Sequence, residues 1–292
     1  MVLRVEQGLK QHSRDMNIRE LLGDQFPTTR WVMPQAHNRR VTVFGRQLIP
    51  AGFNIRAFPF NYATDQDDKA KYESAREANA VITHERVELI RALRARGALS
   101  SEESSVLGAR GRRSAPQMRK LVLGEFGTLA EKEWANQRIL LGGFSQGGVM
   151  ALLTGLTNRD PLGGVFVLSR FLPMRDILPQ VSSSIEHREG YLSSVLMSRG
   201  DVLCSYYSTP EIYTRRTCQC FVVSAGDSYM PFEDATASVA LLRSKEPNGV
   251  GEGGVGLHHL QCLAYPNLDH AWFSGEVIDL AIWMSKVLQT YK

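Results

Sequence analysis

The sequence predicts an α/β fold: a mostly parallel central sheet with helices on both faces. Three observations carry that expectation. Short apolar runs alternate along the chain with longer amphipathic stretches, the pattern of strands joined by crossover helices. The glycine-flanked pentapeptide Gly143-Phe144-Ser145-Gln146-Gly147 sits between an apolar run and a helical one. The chain has 292 residues, 43% of them hydrophobic, enough for one large core.

Taken in order, strands are expected over residues 2–5, 30–33, 138–144, 164–168, 220–225 and 260–265. Each is short, apolar and bounded by turn formers. Helices are expected over residues 16–22, 69–94, 117–134, 146–156, 233–243 and 275–288. In the last of these, Val277, Leu280, Ala281, Met284 and Leu288 recur at the helical period, so one face should pack on the sheet. Three stretches break the rhythm: 99–114, rich in Ser, Gly and Arg; 182–217, long and mixed; and 246–256, rich in Gly. Predicted core elements lie on both sides of each. They read as surface insertions in one domain spanning residues 1–292.

Composition narrows the function classes. The formal net charge of +4 is small and does not indicate a nucleic-acid partner. Arg110, Arg112, Arg113, Arg119 and Lys120 form a local basic cluster. It reads as a solvated loop or, more sharply, as a transient contact with anionic lipid headgroups. No apolar run approaches the roughly 18 residues of a membrane span. The residues from Met1 to Glu6 contain no signal-peptide core and no Met-Gly acylation start, so a cytoplasmic location is expected. Cys204, Cys218, Cys220 and Cys262 match no zinc spacing and read as reduced thiols.

A Gly-x-Ser-x-Gly turn between strand and helix has the form of a nucleophile elbow. The turn is so tight that the flanking positions must be small. The serine hydroxyl then projects from the top of the sheet. The bland alternative is a serine that caps the following helix. A serine needs a base, and the base needs an orienting acid. At such a turn the partners follow in the chain order Ser, acid, His, on loops after later strands. Asp227 falls just past the apolar run 220–225 and is the candidate acid; otherwise it is a turn aspartate. His270 is the last of seven histidines, in the loop after 260–265, and is the candidate base. Asp201 has no clear strand before it. Asp269 is the sequence neighbour of His270, and neighbours usually diverge.

These residues are similar to the acyl-protein thioesterase and lysophospholipase/carboxylesterase family of α/β-hydrolases. The stretch 138–148 resembles that family's elbow, including the Gln after the serine, and the likeness continues through 162–173. Trp31 to Pro34 resembles one of its strands, and Ile49 to Asn54 its proline-rich, aromatic substrate-side loop. Asp227 to Pro231 resembles its D-P-x-V-P acid loop, and Tyr265 to His270 its Y-x-G-x-x-H base loop. The resemblance implies an α/β-hydrolase fold and a serine hydrolase acting on acyl esters or thioesters. Its substrate would be an acylated protein or a lysophospholipid, and no metal or organic cofactor is called for. It also implies that the backbone amides of Leu9 and Gln146 form the oxyanion hole. Ile49, Phe53 and Phe171, with Leu9, would line an acyl groove. The chain departs from the family at Gln7-Gly8-Leu9-Lys10-Gln11, where H-G-x-G-D is usual, and at Val223-Ser224 before the acid. Those departures keep a second reading open: a catalytically weak α/β-hydrolase serving as a binding or scaffold protein.

Overall fold

In the computed structural model, the residues described are 2–4, 18–61, 67–95, 129–158, 162–169, 171–174, 218–224, 227–243, 260–265, 269–270 and 274–289. The three expected insertions lie outside them. Strands are β1 (Val2–Arg4), β2 (Trp31–Val32), β3 (Asn38–Val41), β4 (Gln47–Pro50), β5 (Leu140–Phe144), β6 (Gly164–Leu168), β7 (Cys218–Ser224) and β8 (Leu260–Tyr265). Helices are α1 (Ile18–Leu22), α2 (Asp68–Ala95), α3 (Leu129–Asn136), α4 (Gln146–Thr157), α5 (Phe232–Arg243) and α6 (Ser274–Gln289).

Six strands form one parallel sheet in the order β2-β1-β5-β6-β7-β8. The chain runs one way from β1 to β2, then crosses back to β5 on the other side of β1. The strand order therefore reverses between β1 and β5. At such a switch point the loops at the strand ends diverge and leave a crevice.

Buried strands with helices on both faces should send alternate side chains to opposite layers. Here Leu141, Val165 and Val167 join Ile82, Leu152, Leu156, Val239 and Leu242 in one core layer. Leu140, Phe166 and Leu168 join Ile18, Leu22, Leu280, Trp283, Met284 and Val287 in the other. The apolar face expected for the last helix is the one that packs: Val277, Leu280, Ala281 and Met284 are all buried.

A third apolar cluster lies beneath the carboxyl end of the sheet. It contains Phe53, Phe60, Val149, Met150, Leu153, Phe171 and Met230. The Phe60 and Phe171 rings stack at 4.2 Å. The helix α4 contributes to two of these clusters and is buried nearly all round, as its almost wholly apolar sequence requires.

Some expected boundaries need correction. Arg138 and Ile139 precede β5, Arg30 and Met33 flank β2 without joining it, and β7 starts earlier, at Cys218. Helix α3 begins at Leu129; residues 117–128 lie outside the described residues. The antiparallel pair β3 and β4 was not expected. Among the described residues no helix is long and apolar enough to cross a membrane.

Candidate active site

Ser145 stands where β5 gives way to α4, beside the switch point. Its backbone is left-handed, φ 57° and ψ −131°, a region L residues avoid at a cost of order 1–3 kcal/mol. The surroundings fix it there. Ser145 N–H donates to the Leu168 carbonyl at 3.0 Å, and its own carbonyl accepts from Gly148 N–H at 2.9 Å. Gly143 makes the turn sterically possible: a Cβ there would stand 2.3 Å from the carbonyl carbon and oxygen of Gly147. The serine hydroxyl caps no helix amide, so the capping alternative has no geometric support.

The hydroxyl meets His270 instead. Ser145 Oγ lies 2.8 Å from His270 Nε2, and His270 Nδ1 lies 2.6 Å from Asp227 Oδ2. A carboxylate only accepts, so Nδ1–H donates to Asp227. Nε2 is then left to accept the serine proton. The other oxygen of Asp227 accepts from the backbone N–H of Tyr229 and of Met230, each at 2.9 Å. The His270 and Asp227 side chains retain only 6% and 2% of their exposure. Phe144 lies tilted against the imidazole at 4.9 Å, and Tyr229 meets it edge-on at 5.1 Å. Three residues separated by long stretches of sequence thus form one relay. Sequence order and strand context had singled out all three.

Asp269 does not reach the imidazole in place of Asp227. Its Oδ1 accepts from the backbone N–H of its neighbour His270 at 2.7 Å and from the N–H and hydroxyl of Ser228. These donors, Ser228 N–H foremost, hold its carboxyl below the usual carboxylate range. Asp201 and Leu9 lie outside the described residues.

Gln146, the first residue of α4, places its backbone amide in the unbonded first turn of a helix, where donors face outward. Its side chain has a task that the sequence did not reveal. Oε1 accepts from Gly52 N–H at 3.3 Å and Nε2 donates to the Phe53 carbonyl at 2.6 Å. This draws the loop after β4 down onto α4 and turns the Phe53 ring inward. Phe53 and Phe171 are fully buried in the apolar cluster that Val149, Met150 and Leu153 of α4 join. Ile49 is half-buried against the same cluster.

Comparison with known proteins fits this geometry. Residues 99–196 match the Phospholipase/Carboxylesterase family. Acyl-protein thioesterase 1 of Mycosarcoma maydis is 28% identical over 153 residues, 52% of this chain and 49% of that protein. Acyl-protein thioesterase 1 of Aspergillus fumigatus is 28% identical over 152 residues, 52% of this chain and 48% of that protein. The chain thus spans about half the length of the curated relatives it matches. Among solved structures, Arabidopsis thaliana SOBER1 superposes with a TM-score of 0.59 at 17% identity, covering 98% of this chain and 97% of that one. Zea mays acyl-protein thioesterase 2 gives 0.53 at 15% identity, covering 98% and 92%.

The chain has the α/β-hydrolase fold, and part of it is similar in sequence to acyl-protein thioesterases. The stretch that matches the family includes the elbow, and the structural likeness extends over nearly the whole chain. Cys262, within β8, is a half-buried free thiol packed against the core layer of Leu141 and Val165, and burial raises its pKa, which favours an inert packing role over a reactive one.

Proposed function

We propose that the protein is a serine hydrolase that cleaves acyl esters or thioesters through an acyl-enzyme. The observation that carries this reading is the unbroken hydrogen-bonded relay from Ser145 Oγ through His270 to Asp227, set at a strained elbow. Ser145 attacks the acyl carbon while His270 Nε2 takes its proton. His270 then gives that proton to the departing alcohol or thiol. Asp227 stays ionised, holds the imidazole tautomer and offsets the charge of the imidazolium. Water, deprotonated by His270, releases the acid and restores Ser145. The amide of Gln146 receives the developing oxyanion, and the amide of Leu9 is the second donor in this reading; one such donor contributes about 3 kcal/mol.

The acyl group is proposed to be long and carried on a protein cysteine or a lysophospholipid in the cytoplasm, by likeness to relatives named acyl-protein thioesterase. A fluorophosphonate probe tests the mechanism, because it reacts only with a serine that its histidine activates. Labelling of Ser145 is expected, and its absence would overturn the hydrolase reading in favour of a binding protein. p-Nitrophenyl esters from acetyl to octanoyl, with matching thioesters, test the substrate. Octanoyl exceeds acetyl by six methylenes; burial of four of them, at about 0.8 kcal/mol each, raises kcat/KM about two-hundredfold. A flat profile would indicate a short-chain carboxylesterase.

A further inference from the structure

The relay histidine and its acid lie on two separate loops, and each has a neighbour that is paired with the other's neighbour. Asp227 is followed by Ser228; His270 is preceded by Asp269. Ser228 N–H donates to Asp269 Oδ1 at 3.1 Å and Ser228 Oγ–H donates to the same oxygen at 2.9 Å. That oxygen also accepts from His270 N–H at 2.7 Å. Together with the 2.6 Å contact between His270 Nδ1 and Asp227 Oδ2, these bonds close a ring. Two peptide-linked pairs, 227–228 and 269–270, are joined at both ends.

We infer that Asp269 and Ser228 are positioning residues that hold the acid loop and the base loop in register, so that the His270 imidazole spans Asp227 and Ser145 at once. This inference rests on the proposed serine hydrolase reading. The argument is one of leverage. A loop histidine with one side-chain contact can swing about its backbone. Fixing its N–H through Asp269 removes that freedom at the Cα next to the ring. The donors on Asp269 are three and all converge on a single oxygen of a charged acceptor, which makes each bond stronger than a neutral one. Ser228 and Asp269 are themselves exposed. Exposed hydrogen bonds add little to global stability, because water competes for both partners. The clasp should therefore act on catalysis and leave unfolding nearly unchanged.

The test compares four full-length variants with wild type. Asp269→Ala removes all three bonds. Asp269→Asn keeps an acceptor oxygen without the charge. Ser228→Pro removes both Ser228 donors, and Ser228→Ala removes only the hydroxyl. The order expected in kcat is wild type, then Ser228→Ala, Asp269→Asn, and lowest Ser228→Pro with Asp269→Ala. Asp269→Ala should lose about tenfold to a hundredfold, with KM within about twofold and the thermal midpoint unmoved, the size expected for about 1.4–2.8 kcal/mol of lost positioning. A second readout is the downfield proton of the His270–Asp227 hydrogen bond in NMR, which should broaden in Asp269→Ala and persist in Ser228→Ala. Because that signal needs no turnover, it separates failure of the clasp from failure of the hydrolase reading. Unchanged kcat and an unchanged proton signal in Asp269→Ala overturn the inference, as does a loss that merely follows the thermal midpoint.

Discussion

Ser145 and His270 face each other across 2.8 Å, yet they are held by opposite means. The serine is placed by main chain and packing. Its strand is hydrogen-bonded on both sides, the helix after it is buried nearly all round, and the turn tolerates only glycine at 143. The histidine is placed by side chains on loops: Asp227 against its ring, Asp269 against its N–H, and the rings of Phe144 and Tyr229 against its faces. The first kind of placement resists substitution everywhere except at the glycines. The second depends on a few polar contacts and can be adjusted one residue at a time. A site built this way keeps its nucleophile fixed while its base loop is free to vary.

The contrast can be broken or sharpened by mutation. The largest effect belongs to Ser145→Ala, which should lower kcat by about six orders of magnitude with the fold intact. Ester hydrolysis above a tenth of wild type would remove Ser145 from the mechanism. Asp227→Asn comes next on the loop side, with an expected loss of about 10⁴ in kcat, because the amide stabilises the wrong tautomer and no imidazolium. Glu233→Gln and Asp234→Asn serve as controls from the neighbouring helix and should stay near wild type.

Gly143→Ala probes the elbow side without touching a reacting group. With a methyl carbon forced to 2.3 Å from the Gly147 carbonyl, we expect a loss of about 3 kcal/mol in urea unfolding and weak probe labelling. A variant of wild-type stability and activity would show that the turn is not set by main-chain contact. Gln146→Ala leaves Gly52 N–H and the Phe53 carbonyl unpaired in a buried place, which costs about 1–3 kcal/mol of stability. KM should rise with it, since the loop after β4 is released.

The smallest effect is a pH dependence. The folded-state carboxyl of Asp269 is held below its ordinary value, so its contribution to stability is complete above about pH 4 and is lost as pH falls through the depressed value. Because Asp269 is exposed, the difference in urea midpoint between wild type and Asp269→Asn should be barely measurable at neutral pH and should shrink further in acid. A difference that grew in acid would reverse the assigned sign.

What could be seen in the sequence follows the same division. β6 and β8 fall where apolar runs begin and end, and the elbow is announced by its glycines. The hairpin of β3 and β4 was missed for a physical reason. Its strands carry Arg39, Arg40, Gln47 and an exposed Leu48, so no alternation of apolar and polar residues marks a buried face. Gly45 at φ 64°, between Phe44 and the apolar pair Leu48-Ile49, was the available signal. The Asp269–Ser228 contact joins residues 41 apart in exposed loops, and neither composition nor period encodes such a pair. The Gln146 side chain was likewise invisible, because its partners are the backbone groups of Gly52 and Phe53, 94 and 93 residues away.

The sheet order has a consequence for how the protein comes into being. From β5 outward, each strand pairs with the one made just before it: β6 on β5, β7 on β6, β8 on β7. A chain leaving the ribosome can therefore lay down this half of the sheet in the order of its synthesis, each new strand finding a finished edge. The serine is formed early in that sequence and its acid later. His270 emerges last, after β8 and just ahead of the helix whose Trp283 and Met284 close the far layer. The Ser145 hydroxyl is thus translated well before the acid and the imidazole it meets in the folded chain, and the hydrogen-bonded path from Ser145 to Asp227 can close only after β8 has been made.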